Sequence, residues 1–273
     1  MAIIWVGTGS FFAYIGPVQD YIDRVVAADV AAGNTLGLEV GVRDSYDVFI
    51  RDSLDTGDLG SSGGVISQAN SIIKAAPILA GARTLAGALV PLVGPAPTNI
   101  GFASGDYNRK TGLLGNPTSK SLNSNRNNNA DPQNSSHNAV WVTTAATGTA
   151  VYIGVGPGTN ENGSNNIGAS GIIFCRNRSS ANGGGGSSTN TGFIGTSRST
   201  SANFSFRLNS ATSQVNVASQ TPYDGNVFVF STSNSAFRAN GRMSFYSIGE
   251  ALDLALLETR LATLMASLSA AIP

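Results

Sequence analysis

The feature that most constrains this chain is a change of hydrophobic period partway along it. Before about residue 98 the apolar residues recur at helical spacing, and from about Asn99 they alternate with polar ones in short runs. Residues 139–143, 151–155, 172–176, 191–196, 204–208, 214–218, 227–231 and 242–246 read as strands. Gly/Ser/Asn turns such as 156–164 and 181–190 separate them. Short strands with regular turn signals predict an antiparallel β-sandwich or jelly roll. Few of these runs carry a charge, so either both faces are covered or Ser, Thr and Asn supply the wetted face.

Composition supports an ordered, loop-rich β protein. Gly 33, Ser 33 and Asn 25 together make 91 of the 273 residues, while charged residues are 12%. Disorder normally combines low hydrophobicity with high net charge; here hydrophobic residues are 41% and the formal net charge is zero. Zero net charge also argues against nucleic acid as a partner, because phosphate binding needs clustered cations. A single cysteine, Cys175, excludes an intramolecular disulfide and a cysteine zinc cluster, and a single histidine, His137, excludes a two-His metal site. Residues 1–15 are apolar but lack a basic leader and are interrupted by Gly7 and Gly9, so no signal peptide is expected. The apolar stretch 78–93 has 16 positions and contains Arg83, short of the roughly 20 a membrane span needs. A soluble chain without membrane insertion is expected.

Charge is distributed unevenly. Nine of sixteen acids precede residue 60, whereas residues 132–223 hold one acid, Glu161, and four arginines. Together with the change of period, this predicts an N-terminal helical module over 1–77, a sandwich over 78–246 and a C-terminal helix over 247–273. Pro17 suits a helix start, followed by Val18, Tyr21, Ile22, Val25 and Val26, with Gly33-Asn34 as a stop. A second helix is predicted over 39–53 and a third from Ile66 through Ile73 to Ala76. Ser247 and Glu250 fit a capping box for the last helix. There Leu254, Leu257, Leu261, Leu264 and Leu268 repeat at alternating spacings of three and four. Two readings fit this seam: packing on the chain's own sandwich, or self-association as a trimer.

Three stretches resemble a known family. They are residues 78–142, which begin ILAGARTLAGALVPLVGPAPTNIGF and end SSHNAVWV; TGFIGTSRS over 191–199; and RMSFYSIGEALDLALLETRLATLM over 242–265. The chain is similar over roughly two thirds of its length to LamG-like, concanavalin-type jelly-roll proteins of tailed bacteriophages. The strand ending in FYSIG and leading into a leucine-rich helix is the most specific of these features. The resemblance implies a virion structural protein on the particle surface, made in the host cytoplasm and contacting other virion proteins. It implies either a tail-fibre or appendage adhesin for host glycans, or a capsid decoration protein. The N-terminal seventy residues depart most from the family and are read as the particle-docking part, with Trp5, Phe11, Phe12 and Tyr14 as candidate contacts.

A lectin-like fold can also carry glycoside hydrolysis, which needs two carboxylates flanking one bond. The acids of the β region are Asp106, Asp131, Glu161 and Asp224, and none fall on alternate positions of one strand. Asp131 and Asp224 read as turn formers, so no enzyme is expected. His137 reads as a locally bonded loop residue, and Cys175 in the run IIFC reads as a buried hydrophobe. The loop 116–138 holds the candidate glycan or partner contacts Asn123, Asn125, Arg126, Asn127, Asn128 and Asn129. Asn amides both donate and accept, which suits hydroxyl-rich sugars. They also bond their own backbone, so building the loop is the competing role. No cofactor is expected; calcium is the one ion considered, and Asp131 is the loop's only acid.

Overall fold

The computed structural model describes residues 14–158, 161–233 and 237–273. Its helices are α1 (Gly16–Ala31), α2 (Val40–Asp55), α3 (Leu85–Ala88) and α4 (Leu254–Ala271). The strands begin with β1 (Ser61–Ser62), β2 (Val65–Ile66), β3 (Ile73–Pro77), β4 (Pro91–Val93), β5 (Thr98–Ile100) and β6 (Tyr107–Asn108). They continue with β7 (Gly112–Leu114), β8 (Ser121–Asn127), β9 (Ser136–Thr144), β10 (Ala150–Gly154), β11 (Ser164–Ser170) and β12 (Ile172–Ser179). The last are β13 (Gly183–Gly185), β14 (Gly192–Arg198), β15 (Phe204–Leu208), β16 (Ala211–Val215), β17 (Asn226–Val229) and β18 (Arg242–Gly249).

The chain is mainly β, an antiparallel sandwich with N-terminal helices and a C-terminal helix. One sheet runs β13-β12-β11-β10-β17-β8-β5; the other runs β16-β15-β14-β9-β18-β3-β4, with β7 pairing β18 and β6 pairing β7. Alternation sorts the second sheet into two faces. Val140, Val142, Ile194 and Phe206 point inward to meet Tyr152, Ile167, Ile173 and Val229 of the first sheet. Ala139, Phe193 and Phe245 point the other way into a second cluster with α1, α2 and α4. The molecule is therefore layered as helices, sheet, sheet.

The helical layer is joined to the sandwich by specific contacts. Phe49 of α2 meets Phe245 of β18 edge-on with ring centroids 6.1 Å apart, and the Tyr46 hydroxyl donates to Ala80 O at 2.7 Å. Arg109 forms a bidentate pair with Glu39, at 2.9 and 2.6 Å. Within the helical layer, Arg260 of α4 is ion-paired with Asp58, just beyond α2, at a buried site. Leu254, Leu257, Leu261, Leu264 and Leu268 are all buried in this same layer. The seam left open between self-packing and self-association is thus occupied within one chain. By length and composition α4 could also cross a membrane, and here its leucine face lies on α2 and β14.

Several sequence expectations are corrected. Residues 66–76 are not a helix: Ser67 and Asn70 form a turn, and Ile73 and Ala75 enter β3 opposite Gly249 and Ile248. The apolar spacing there matched a helix only by running across a turn. Ser247 and Glu250 do not cap α4, because β18 continues through Gly249 and Asp253 is the cap, accepting from the N–H groups of Ala255 and Leu256. The strand expected at 214–218 lies at Ala211–Val215. The Asn-rich stretch read as loop contains β8, and β13 lies inside the stretch 181–190 that read as turn.

Candidate functional site

The first sheet brings two distant segments together. β17 pairs with β8 through a register shift between Asn226 and Phe228, which sets Asn226 opposite Asn127. The turn preceding β17 consequently lies over the single helical turn that follows β8, where Asn128 N–H donates to Gly225 O at 2.9 Å. Asn127 Nδ2 donates to Asp224 Oδ1 at 2.8 Å and Asn129 Nδ2 donates to the same oxygen at 3.1 Å. The Asn127 Oδ1 accepts from the N–H groups of Asn129 (2.9 Å) and Gly225 (3.2 Å). The exposed Asp224 carboxylate is therefore fixed by two amides. Its Oδ2 and the Oδ1 of exposed Asn129 accept no hydrogen bond among the described residues, and half-buried Tyr223 adjoins them.

The other predicted contacts hold the frame of this site. Asn123 accepts from Asn125 N–H at 2.9 Å. Asn125, at a φ of 55°, donates to Ala96 O and Thr98 Oγ1 and so ties β8 to the segment entering β5. Arg126 is ion-paired with buried Asp131. Asn128 is buried and donates to Gly163 O and Tyr223 O. Of the six, Asn127 and Asn129 meet at the exposed carboxylate. Asp224 itself read as a turn former, and only the β8–β17 pairing reveals its second role.

The remaining candidates fall elsewhere. Tyr14 donates to Asp44 at 2.7 Å, and burial together with that carboxylate pushes its phenol up to about 12; Trp5, Phe11 and Phe12 lie outside the described residues. Asp106 pairs with Lys120 at 2.5 Å. His137 is not in a loop but in β9, fully buried, with Nδ1 2.6 Å from Glu250 O and Nε2 3.0 Å from Ser247 Oγ. Because a carbonyl can only accept, Nδ1 carries the proton and Nε2 accepts from the serine. This Ser–His pair is sealed from solvent and leans on a backbone carbonyl, so no substrate reaches it. Cys175 is buried, and burial pushes its thiol well above the ordinary range.

β10, β11 and β12 of the first sheet are buried on both faces over most of their length. Val151 N–H donates to Phe237 O, Gly156 N–H to Ser233 Oγ, and Arg176 to Glu161 O. A depression of about 560 Å³ lies beside β12 and β13, lined by Thr149, Ser170, Ile172 and Phe174 among others. Among the described residues no three His, Cys, Asp or Glu side chains are grouped to hold a metal ion.

No family model and no curated protein matches the chain. Among solved structures, part of the chain resembles NanB sialidase from Streptococcus pneumoniae, with a TM-score of 0.41, 12% identity, and 55% of this chain covering 27% of that one. The CBM40 of the Ruminococcus gnavus IT-sialidase, solved bound to α2,3-sialyllactose, matches with a TM-score of 0.38 and 10% identity over 46% of this chain and 83% of that one. The binding domain of botulinum neurotoxin DC, solved with rat synaptotagmin II, matches at 0.40 and 13% over 55% and 42%. The matched region thus spans about a quarter of the sialidase.

Proposed function

We propose that this chain is a non-catalytic binding protein on the surface of a tailed-phage particle, and that it engages neutral, hydroxyl-rich glycans at Asn127, Asn129 and Asp224. The observation that carries the binding reading is the Asp224 carboxylate, pinned through one oxygen by two amides while the other faces solvent. A fixed carboxylate with an amide carbonyl beside it accepts neighbouring sugar hydroxyls without first being ordered. Its negative charge disfavours acidic sugars. The particle assignment is supported by the three sequence stretches that resemble phage jelly-roll proteins. An appendage adhesin suits a small polar site better than a decoration protein, which needs a broad apolar footing. Display in several copies would raise avidity by roughly 10² to 10⁴.

A glycan array probed with the full chain, its Asp224→Ala variant and its Asn129→Ala variant tests the site. Binding to neutral glycans that falls about tenfold or more in Asp224→Ala is expected, since hydrogen bonds to a charged group are worth about 1.5–3 kcal/mol. Unchanged binding in that variant, or preference for sialylated glycans, would overturn it. Immunogold labelling of intact particles with an antibody against residues 99–246 tests the location: label on the tail fits an adhesin, label over the head a decoration protein, and unlabelled particles remove the virion assignment.

A further inference from the structure

We infer that the free edge of β16 is a pairing surface for the same strand of a second copy, joining two sheets into one continuous antiparallel sheet. Five strands end the two sheets: β13, β5, β16, β4 and β6. Four of them are two or three residues long, β13 is all glycine, β4 begins with Pro91, and Pro95 and Pro97 precede β5. These are the devices by which proteins stop edge-to-edge association. β16 has none of them. It is five residues long, Ala-Thr-Ser-Gln-Val, without charge, proline or bulge, and its first four residues are exposed.

The hairpin geometry shows which groups are free. Asn209 and Ser210 both have positive φ, 42° and 70°, and form a two-residue turn closed by the Leu208–Ala211 pair. In such a hairpin the closing pair exchanges its backbone bonds, so Ala211, Ser213 and Val215 bond β15. The N–H and C=O groups of Thr212 and Gln214 point outward, where no described residue meets them. Their side chains are held back: Thr212 Oγ1 accepts from Arg207 at 2.7 Å and Gln214 Nε2 donates to Ser205 Oγ at 2.8 Å.

A second copy is the occupant this edge fits. With a two-fold axis at Ser213, Thr212 faces Gln214 of the partner and each such pair exchanges two backbone bonds; Ser213 meets its own equivalent in the close, non-hydrogen-bonded position. Small and uncharged side chains then oppose one another along the whole register, with no like charge brought into contact.

Sedimentation velocity over a concentration series, using the full chain, tests the inference. The wild type should shift toward twice its 27.9 kDa mass as concentration rises. Ser213→Lys places two like charges across the axis and should stay monomeric with an unchanged melting curve. Ser213→Cys should oxidise to a covalent dimer, because Cα atoms about 4.5 Å apart lie within disulfide range, whereas Ala211→Cys, whose partner is Val215, should not. The native Cys175 is buried and does not compete. A wild type that stays monomeric throughout, or a dimer that persists in Ser213→Lys and fails to cross-link through Ser213→Cys, would overturn the pairing.

Discussion

Asp29 Oδ1 accepts two hydrogen bonds from Thr84, one from the backbone N–H at 2.8 Å and one from the hydroxyl at 2.7 Å. Its other oxygen accepts from Arg83 N–H at 2.8 Å. The carboxylate lies in the C-terminal half of α1, 1% exposed, where the helix dipole disfavours it. Three donors from one loop make the position tenable and fasten the first helix to the sandwich. The same contact dictates Gly87, since a Cβ there would come within 2.3 Å of Asp29 Oδ1.

Asp29→Ala should therefore cost about 3 kcal/mol or more, because two half-buried backbone N–H groups and a hydroxyl lose a charged acceptor. Urea unfolding followed by circular dichroism checks this. A loss below about 1 kcal/mol would mean that water replaces the carboxylate.

The sandwich was legible in the sequence wherever β-branched and aromatic residues alternate, as in Phe204–Leu208, which is a strand over the same residues. It was illegible where strands are built of Asn, Ser and Gly. β8 and β11 carry Ser-Leu-Asn-Ser-Asn-Arg-Asn and Ser-Asn-Asn-Ile-Gly-Ala-Ser, residues that favour turns in isolation. Tertiary partners override that preference: Asn166 Oδ1, fully buried, accepts from Val155 N–H at 2.8 Å. The candidate site was legible only in part, for a related reason. Asn127 and Asn129 were visible as amides, but Asp224 stands 97 residues from Asn127, and no local pattern encodes a cross-strand neighbour.

His137 should give the fold a specific acid sensitivity. Burial holds its pKa down at about 4, below the ordinary 6.5, so the unfolded chain takes up a proton more readily than the native one. Its stabilising contribution is complete above about pH 6.5 and is lost as pH falls toward 4, by about 3 kcal/mol in total at roughly 1.4 kcal/mol per pH unit. Unfolding midpoints between pH 7.5 and 4.5 should fall more steeply for the wild type than for His137→Gln. Parallel slopes would show that the imidazole is not the group responsible.

Leu261→Ala separates packing from assembly. Leu261 is fully buried within its own chain, and a truncation of this kind costs about 2–5 kcal/mol. The denaturation midpoint should fall while the sedimentation behaviour of the folded fraction stays as in the wild type. A folded variant whose only change is loss of oligomer would restore the helix as an interface.

Cys175 should be inert in the folded protein. The thiol lies in β12 between the sheets with its pKa raised by burial, so little thiolate forms at neutral pH. Reaction with a disulfide reagent should proceed at the rate of unfolding and become immediate in denaturant. Rapid labelling under native conditions would contradict the tight interior of the sandwich.

Arg198 is a buried cation whose hydrogen bonds go to backbone carbonyls rather than to a carboxylate. Its Nε donates to Asn177 O at 2.9 Å, Nη1 donates to Thr200 O and Asn203 O at 3.1 Å, and Nη2 donates to Val217 O at 3.1 Å. Phe204 supplies an aromatic face 5.4 Å from the guanidinium carbon. The planar fork thus closes the β14–β15 connection against β12 and the segment beyond β16, a spread that a single ammonium cannot cover. Arg198→Lys should leave at least one buried carbonyl without a donor and cost about 1–3 kcal/mol for each. Hydrogen exchange should localise the damage, with protection falling at residues 199–203 and 217–219 before the central strands are affected. Uniform loss of protection across both sheets would instead make Arg198 a determinant of global stability, not a local clamp.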